Sequence, residues 1–358
     1  MKQTYIIAEA GVNHNGSEEL AFKLVDAALE AGADVVKFQT FKAKNLVTEF
    51  APQAEYQKQN TKKVESQLAM LSRLELSYDA HHRLIEYCKK MGIEFLSTAF
   101  DHESLIFLVE ELGLKTLKIP SGELTNAPLV LAHARTGANL IVSTGMATLG
   151  EIEAALSVIA FGYTDRNSHP SKDRFEQAFW SDAGRIAIKN KVTLLHCTTE
   201  YPAPFDEINL KVMDTLSKAF ELPVGYSDHT QGIAVPIAAV ARGATLIEKH
   251  FTLDKNMEGP DHRASLDPIE LKSMVEGIRQ VEQALGHGRK GPSPSEVANK
   301  QIARKSIVAA IEIKKGEKLS EDSMAIKRPG TGMSPTLYWS LLGKVASRDY
   351  MPGELISE

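Results

Sequence analysis

The chain has 358 residues, of which 43% are hydrophobic and 24% are charged, and its formal net charge is −5. This composition is ordinary for a globular protein and excludes a fibrous or largely disordered chain. The negative charge argues against nucleic-acid binding as the main task, because proteins with that task usually carry a basic face.

Two features of the sequence predict a cytoplasmic protein. Cys88 and Cys197 have neither the spacing of metal ligands nor that of a disulfide framework, as is usual in a reducing compartment. The N-terminal segment turns polar after a few apolar residues, and no stretch approaches the length of a membrane span. We therefore expect no membrane and no nucleic acid among the partners.

Short apolar segments alternate with longer amphipathic ones along most of the chain. Candidate strands lie at 5–9, 35–39, 94–97, 116–119, 140–143, 192–196, 224–226 and 246–249. Helices are predicted at 18–31, 78–90, 151–159, 233–242 and 268–285, where apolar residues recur at intervals of three and four. Eight repeated β-α units favour an α/β fold of the closed (β/α)8 TIM barrel type over an open sheet.

The predicted barrel domain covers residues 1–285. The Gly/Pro/Ser-rich stretch 286–302 indicates a linker. From 303 to 358, short β-like runs interrupted by Gly and Pro indicate a small separate domain. Two long polar segments, 49–67 and 161–190, do not fit a minimal barrel and are interpreted as insertions, either lids or tolerated surface loops.

Polar residues end every predicted strand, which is where a TIM barrel carries its active site. The first five strands lead into Glu9; Lys37 and Gln39; Ser97 and Thr98; Lys118, Ser121, Gly122 and Glu123; and Ser143, Thr144 and Gly145. The last three end in HCTTEYPAP, YSDHT and EKHFT. One such residue would be an ordinary loop residue in most cases, but eight strand ends together indicate an enzyme.

Lys37 and Lys118 lie among apolar residues, where a buried lysine needs an anionic partner. A bound phosphate or carboxylate would be such a partner. Hydroxyls and backbone N–H groups typical of phosphate sites surround them in the sequence, at Ser121, Gly122, Ser143 to Gly145 and Ser227. Neither a P-loop nor a GxGxxG motif is present, so a small phosphorylated substrate is preferred to ATP or NAD.

His229 and His250 close successive strands and are candidate ligands of a divalent metal, although a structural role is about equally plausible for each. With no third His or Cys nearby in the pattern, water and substrate oxygens would complete the shell of Mn²⁺ or Mg²⁺ acting as a Lewis acid. His14 and His196 have either structural or supporting roles. Asp261, in the polar run GPDHRASLDP, is either a group for binding a polyol or part of a plain connector.

Nine motifs, in order and spacing, resemble the sialic acid synthase family over nearly the whole chain. They are AEAGVNHNG, VKFQT, STAFD, KIPSGELTN, STGMAT, LLHCTTEYPAP, GYSDHT, EKHFTLDK and GPDH. The tail ARKSIVAAIEIKKGEKLSEDSMAIKRPGTG resembles the family's C-terminal antifreeze-like domain, also called the SAF domain. The resemblance implies a homodimer in which the tail of one subunit caps the barrel of its partner.

The resemblance also implies the activity and the roles of individual residues. The expected reaction condenses phosphoenolpyruvate with an N-acetylated amino-sugar aldehyde and water to give a nine-carbon sugar acid and phosphate. The implied metal ligands are His229 and His250, for Mn²⁺, with Mg²⁺ or Co²⁺ as alternatives. Phosphoenolpyruvate would be held by Lys37, Thr98, Lys118, Ser121, Ser143, Thr199 and Ser227. The sugar would be met by Glu9, Gln39, Glu123, Tyr201, Asp261 and, from the partner subunit, Arg328.

In the implied mechanism C3 of phosphoenolpyruvate attacks the aldehyde, water adds at C2 and phosphate leaves, while Lys37 and Lys118 offset the negative charge. We expect Glu123 to handle the proton, with Glu9 as the alternative.

The acceptor sugar is the open part of the functional prediction. We expect N-acetylmannosamine, giving N-acetylneuraminate. The alternative is 2,4-diacetamido-2,4,6-trideoxymannose, giving N,N'-diacetyllegionaminate. Two alternatives come from other functional classes. One is a non-catalytic scaffold, which the paired lysines and histidines at strand ends disfavour. The other is a hydrolase or a Schiff-base aldolase on the same barrel.

Overall fold

The computed structural model describes residues 3–61 and 65–357, which fall into two compact units, Met1–Gly286 and His287–Glu358. In the described part of the first unit, eight parallel strands pair in chain order and close into a barrel, as the repeated β-α pattern predicted. The strands are β1 Tyr5–Gly11, β2 Val35–Thr40, β3 Glu94–Ala99, β4 Thr116–Ile119, β5 Asn139–Ser143, β6 Val192–Cys197, β7 Val224–Asp228 and β8 Leu246–His250.

Helices follow the strands, and most of the longer ones pack against the barrel in its outer core. In chain order they are α1 Glu18–Glu30, α2 Ala43–Leu46, α3 Glu55–Thr61, α4 Gln67–Leu74, α5 Tyr78–Met91, α6 His102–Ile106, α7 Ala127–Arg135, α8 Leu149–Thr164, α9 Lys172–Trp180, α10 Asp182–Lys191, α11 Val212–Phe220, α12 Ala234–Ala241 and α13 Pro268–Leu285. Local sequence sets their starts. For example, α13 begins after Asp267, whose side chain and that of Glu270 form a reciprocal capping box with Pro268 in the first turn.

Alternation along the strands separates the helix-covered side from the barrel interior. On β1 and β2, Ile6, Ala8, Val36 and Phe38 pack in the large core that includes the helices. A second, smaller cluster comes from the inward positions of six strands: Ile7, Val35, Leu96, Ile141, Leu195 and Leu246. The next inward residue along each of these strands is Glu9, Lys37, Thr98, Ser143, Cys197 and Glu248. Because side chains alternate with a period of two, an apolar layer thus supports a polar layer at the C-terminal mouth.

Both predicted insertions contain helices. In the first, 49–67, α3 approaches the loop after β8, since Asn60 Nδ2 donates to the carbonyl of Pro260 at 2.7 Å. Residues 62–64 of this insertion lie outside the described residues. In the second, 161–190, α8 continues five residues past its predicted end at 159 and is followed by α9 and α10. Their helicity was missed because polar residues obscured the apolar spacing.

The second unit has a small core of its own, built on Ile307, Ala309, Leu319, Met324 and Tyr350 among others. Its strands β9 Ser306–Ala309 and β10 Met324–Lys327 pair antiparallel, and a short helix α15 spans Tyr338–Leu341. The stretch 286–302, predicted as a linker, contains most of helix α14, Pro294–Ala303. No helix in the described parts of either unit is long and apolar enough to cross a membrane.

Burial strongly lowers the pKa of several histidines in the barrel unit. His14, His133 and His262 are at most 1% exposed. Burial lowers the pKa of His14 to about 3 and that of His133 and His262 to about 4. Each ring is therefore neutral in the folded chain at neutral pH.

This burial predicts that the barrel unit loses stability as the pH falls from about 6.5, the ordinary pKa of histidine, towards 4. The unfolded chain binds protons in this window that the folded chain does not, at about 1.4 kcal/mol per pH unit for each residue. Urea unfolding followed by circular dichroism at several pH values would measure the slope. His133→Leu should make the slope shallower, and equal slopes in this variant and the wild type would contradict the account.

Candidate active site

Strand register brings the charged candidates together at the mouth of the barrel. Glu9 is paired with Lys37 between β1 and β2, and Thr98 with Lys118 between β3 and β4. Ser227 is paired with Glu248 between β7 and β8. All of these side chains are buried.

Four of them form a single cluster of charges, which we call the four-charge cluster: Glu9, Lys37, Lys118 and Glu248. Lys37 Nζ lies 2.7 Å from Glu9 Oε2 and 3.3 Å from Glu248 Oε2. Lys118 Nζ donates to Glu248 Oε1. Two neutral hydroxyls complete the cluster, because Ser227 donates to Glu248 at 2.9 Å and Thr98 accepts from Lys37 at 3.1 Å. Two positive and two negative groups therefore balance in a buried space.

The two carboxyls of this cluster have opposite pKa shifts. Burial, only partly opposed by Lys37, raises the pKa of Glu9 to about 7. Burial acts on Glu248 in the same direction, but Lys118 and Lys37 outweigh it and hold the pKa of that carboxyl below its usual range. Burial also lowers the pKa of Lys118, which Glu248 only partly offsets. The pKa of Glu9 therefore lies near neutral pH.

Glu248 is the member that the sequence-based prediction missed. The prediction focused on His250 in the same EKHFT run. Side chains alternate along a strand, however, so Glu248 points inward together with Leu246 and His250. That alternation was the available signal. The contacts with Lys37 and Lys118 were not accessible, because they join residues more than 100 positions apart in the chain.

A group of hydroxyls lies beside the four-charge cluster, around the backbone of Gly145. Ser121 Oγ accepts from Gly145 N and donates to Ser143 Oγ, both at 3.0 Å. Thr199 Oγ1 is buried, with no hydrogen-bond partner in the described residues. A Cβ added to Gly145 would lie 2.3 Å from Thr199 Oγ1 and 2.7 Å from Ser121 Oγ. Only glycine leaves this cradle open, and such convergent donors suit a phosphate.

His229 and His250 are neighbours at the mouth, with ring centroids 5.5 Å apart. His229 Nδ1 donates to the carbonyl of Thr198 at 2.6 Å, so Nε2 is the ring nitrogen that could hold a metal ion. Burial, assisted by the nearby charge of His229, keeps the pKa of His250 well below its usual value, so that ring is neutral. Its Nδ1 is buried and has no hydrogen-bond partner among the described residues.

This donor set fits a divalent metal held by two imidazoles. The His250 ring is neutral, whereas Cys197, against the opposing effect of burial, raises the pKa of His229, so a bound ion would displace a proton from that ring. Among the described residues no group of three or more His, Cys, Asp and Glu side chains is arranged to hold a metal ion. Oxygen ligands from water or substrate would therefore have to complete the coordination.

The remaining sugar-site candidates lie around the histidines and the rim. The ring of Tyr201 lies 4.0 Å from that of His229, centroid to centroid. Gln39 Nε2 donates to Glu9 at 3.4 Å. Burial raises the pKa of Asp261 to about 6, against the opposing effect of His229. Glu123 is partly exposed and accepts from Asn126.

Arg328 belongs to the second unit. It is exposed there and its Nε donates to the carbonyl of Ala303 at 3.0 Å. His14 and His196 are buried and serve the loops, since His14 Nδ1 accepts from Gly16 N and His196 Nε2 hydrogen-bonds the carbonyl of Ile208.

The Gly145 cradle gives a prediction that needs no knowledge of the second substrate. Gly145→Ala should weaken binding of inorganic phosphate at least about tenfold, because its methyl group displaces hydroxyls that would donate to the anion, and such bonds contribute about 1.5–3 kcal/mol. Isothermal titration calorimetry would measure the affinity. Gly150→Ala is the matched control, since nothing lies within 4 Å of its added Cβ. Equal affinities for both variants would remove the cradle from the anion site.

Comparison with known proteins identifies relatives over the whole chain. The model of the NeuB family matches residues 24–290, and that of the SAF domain matches 304–358. An N,N'-diacetyllegionaminic acid synthase of Campylobacter jejuni is 53% identical over 100% of both chains. A protein of the same name from Legionella pneumophila is 45% identical over 98% of this chain and 92% of its own.

A solved structure agrees with the fold and the family. The N-acetylneuraminic acid synthetase of Leptospira borgpetersenii superposes with a TM-score of 0.66, at 33% identity, over 83% of this chain and 90% of its own. The leading expectation of an N-acetylneuraminate synthase was nevertheless wrong, because the relatives at 53% and 45% identity have the name of the alternative. The family predicted from the motifs is confirmed: the chain belongs to the NeuB family of sialic acid synthases and has a C-terminal SAF domain.

Proposed function

We propose that this protein condenses phosphoenolpyruvate with 2,4-diacetamido-2,4,6-trideoxymannose and water, giving N,N'-diacetyllegionaminate and phosphate. The acceptor rests on one observation, the 53% identity over the full length of both chains with an N,N'-diacetyllegionaminic acid synthase. The anionic donor has support from the chain's own residues, because lysines and hydroxyls converge at the mouth of the barrel.

The donor site we propose combines the four-charge cluster with the Gly145 cradle. Phosphoenolpyruvate carries a carboxylate and a phosphate, and Lys37 and Lys118 are the cations that can meet them. Ser121, Ser143 and Thr199 would donate to the phosphate, as would backbone N–H groups of the loop that follows β5. Thr98 and Ser227, which contact Lys37 and Glu248, would hold the lysines and their counter-ions in place. These groups offset the charge of the donor before and after the new bond forms.

The acceptor would lie over the two histidines, between Tyr201, Gln39, Glu123 and Asp261. A divalent ion on His229 and His250, Mn²⁺ in our proposal, would supply Lewis-acid polarisation of the aldehyde oxygen when bound. The chain's own residues orient the sugar so that C3 of phosphoenolpyruvate reaches the aldehyde carbon. Water then adds at C2, and the C2–O bond to phosphate breaks.

Proton handling is best supported for Glu9. A general acid or base works most efficiently when its pKa is near the operating pH, and burial raises the pKa of Glu9 to about 7. Glu9 also lies within 3.4 Å of Gln39, on the side of the cluster that faces His250. We therefore propose that Glu9 exchanges a proton with the sugar oxygen or the attacking water, and that the half-buried Glu123 contacts the sugar at the rim.

Two further parts of the proposal concern the oligomeric state and the cellular compartment. As in the resemblance described above, Arg328 would reach the sugar from the partner subunit of a homodimer. The cytoplasm is the expected compartment, because phosphoenolpyruvate is made there and the two buried cysteines are free. Size-exclusion chromatography with light scattering would measure the oligomeric state.

A phosphate-release assay tests the function directly. With phosphoenolpyruvate present, we expect 2,4-diacetamido-2,4,6-trideoxymannose to give the highest kcat/KM in a panel that includes N-acetylmannosamine. Activity should disappear with EDTA and return with Mn²⁺, whereas borohydride should not trap an adduct, unlike in a Schiff-base aldolase. Release of phosphate with none of the sugars would refute the synthase assignment, and a preference for N-acetylmannosamine would refute the acceptor.

Donor binding should also take up protons. The four-charge cluster is balanced before binding, so an arriving anion raises the pKa of Glu9 further and drives its protonation near pH 7. Calorimetric titration of phosphoenolpyruvate at pH 7, in two buffers with different ionisation enthalpies, measures this uptake. Glu9→Gln should abolish the buffer dependence while donor binding persists. An unchanged buffer dependence in that variant would assign the proton to another group.

A further inference from the structure

A second pair of opposite charges lies behind the histidines, on the side of the strands that faces away from the barrel interior. Asp228 ends β7 and Lys249 is the next-to-last residue of β8, and the two are paired in the strand register. Lys249 Nζ lies 2.6 Å from Asp228 Oδ2, and neither side chain is exposed at all. Since side chains alternate along a strand, Glu248 and His250 face inward while Lys249 faces outward.

The pair is connected to the turn that carries His229. Asp228 Oδ1 accepts from the Thr230 N–H at 2.9 Å and from the Tyr226 hydroxyl at 3.0 Å. Its Oδ2 accepts from the Thr230 hydroxyl at 3.1 Å. Lys249 Nζ also donates to the Thr230 carbonyl. His229 is thus the middle residue of a turn between Asp228 and Thr230. Both of these residues contact Lys249, which directly precedes His250.

We propose that Asp228 and Lys249 are positioning residues that set the spacing of the His229 and His250 rings and thereby the affinity of the protein for a divalent cation. The inference rests on the proposed function in so far as the two rings hold that cation. The pair does not touch the site itself. It holds the backbone of both ligand-bearing segments in one bonded unit, and groups that orient metal ligands in this way typically contribute ten- to hundredfold in affinity.

Stability alone is a weak reason for such a pair. Replacement of a buried ion pair by apolar or neutral residues of similar volume is often harmless to folding, whereas removal of one partner leaves a buried charge. A double substitution is therefore the informative change. Asp228→Asn with Lys249→Met keeps the size of both side chains and removes both charges together.

The matched control is the pair of Asp34 and Arg279, 2.9 Å apart at the opposite end of the barrel, where Asp34 precedes β2. Arg279 lies on α13 and Asp34 also accepts from the backbone N–H of Ile6, so this pair connects α13 and β1 to the start of β2. Asp34→Asn with Arg279→Met should lower the melting temperature and leave cation binding unchanged.

The measurement is Mn²⁺ affinity in the full-length protein without substrates, from the electron paramagnetic resonance signal of free Mn²⁺. We expect about ten- to hundredfold weaker binding in the Asp228/Lys249 double variant and wild-type binding in the control. Wild-type affinity in a folded Asp228/Lys249 double variant would overturn the inference. If that variant does not fold, Thr230→Val carries the test, since it removes one bond to Asp228 and keeps the ion pair. We expect about threefold weaker Mn²⁺ binding there, and unchanged affinity would be equally decisive.

A third variant separates this inference from the proposed function. His229→Ala should abolish Mn²⁺ binding at this site. If it binds Mn²⁺ as tightly as the wild type, the cation site in the proposed function is wrong. If it does not, while the Asp228/Lys249 double variant binds normally, only the positioning role is wrong.

Discussion

The balance of charge at the barrel mouth is the constraint on which the rest of the site depends. Lys37 and Lys118 can be buried only because Glu9 and Glu248 are within ion-pair distance, and each carboxyl needs the lysines in turn. The apolar layer beneath fixes the depth of this cluster, and strand register fixes which side chains meet. In the donor site that we propose, the cations are therefore already paired, and an anionic substrate would have to replace one of their partners to bind.

Much of the fold and of the candidate site could be predicted from the sequence, and the parts that could not be predicted have physical causes. The strands and their polar ends were predictable because a period of two and the turns that follow are local signals. Helix α14 was missed in the stretch taken as a linker, although Ser293 and Glu296 form a capping box, with Pro294 in the first turn, that marks a helix start. Glu248 and the Asp228–Lys249 pair were missed because their importance lies in contacts between strands, which no local pattern encodes.

The acceptor sugar was beyond reach for a different reason. The residues that carry the common chemistry are the ones that the motifs contain, so the motifs define the family and leave the acceptor open. Discrimination between acceptors depends on the shape of the pocket around the sugar's substituents, which the motifs do not describe. Identity over the full chain with relatives of known name was therefore more informative than any single motif.

The neutrality of the four-charge cluster has a consequence for how the donor arrives. Long-range attraction of a substrate requires excess charge of the opposite sign, and here neither the cluster nor the chain as a whole, with its net charge of −5, supplies it. Phosphoenolpyruvate would thus reach the mouth without long-range attraction, and salt would screen the repulsion by the chain's net negative charge. Selection among anions would then happen at contact, where the donor must displace a carboxylate from a lysine.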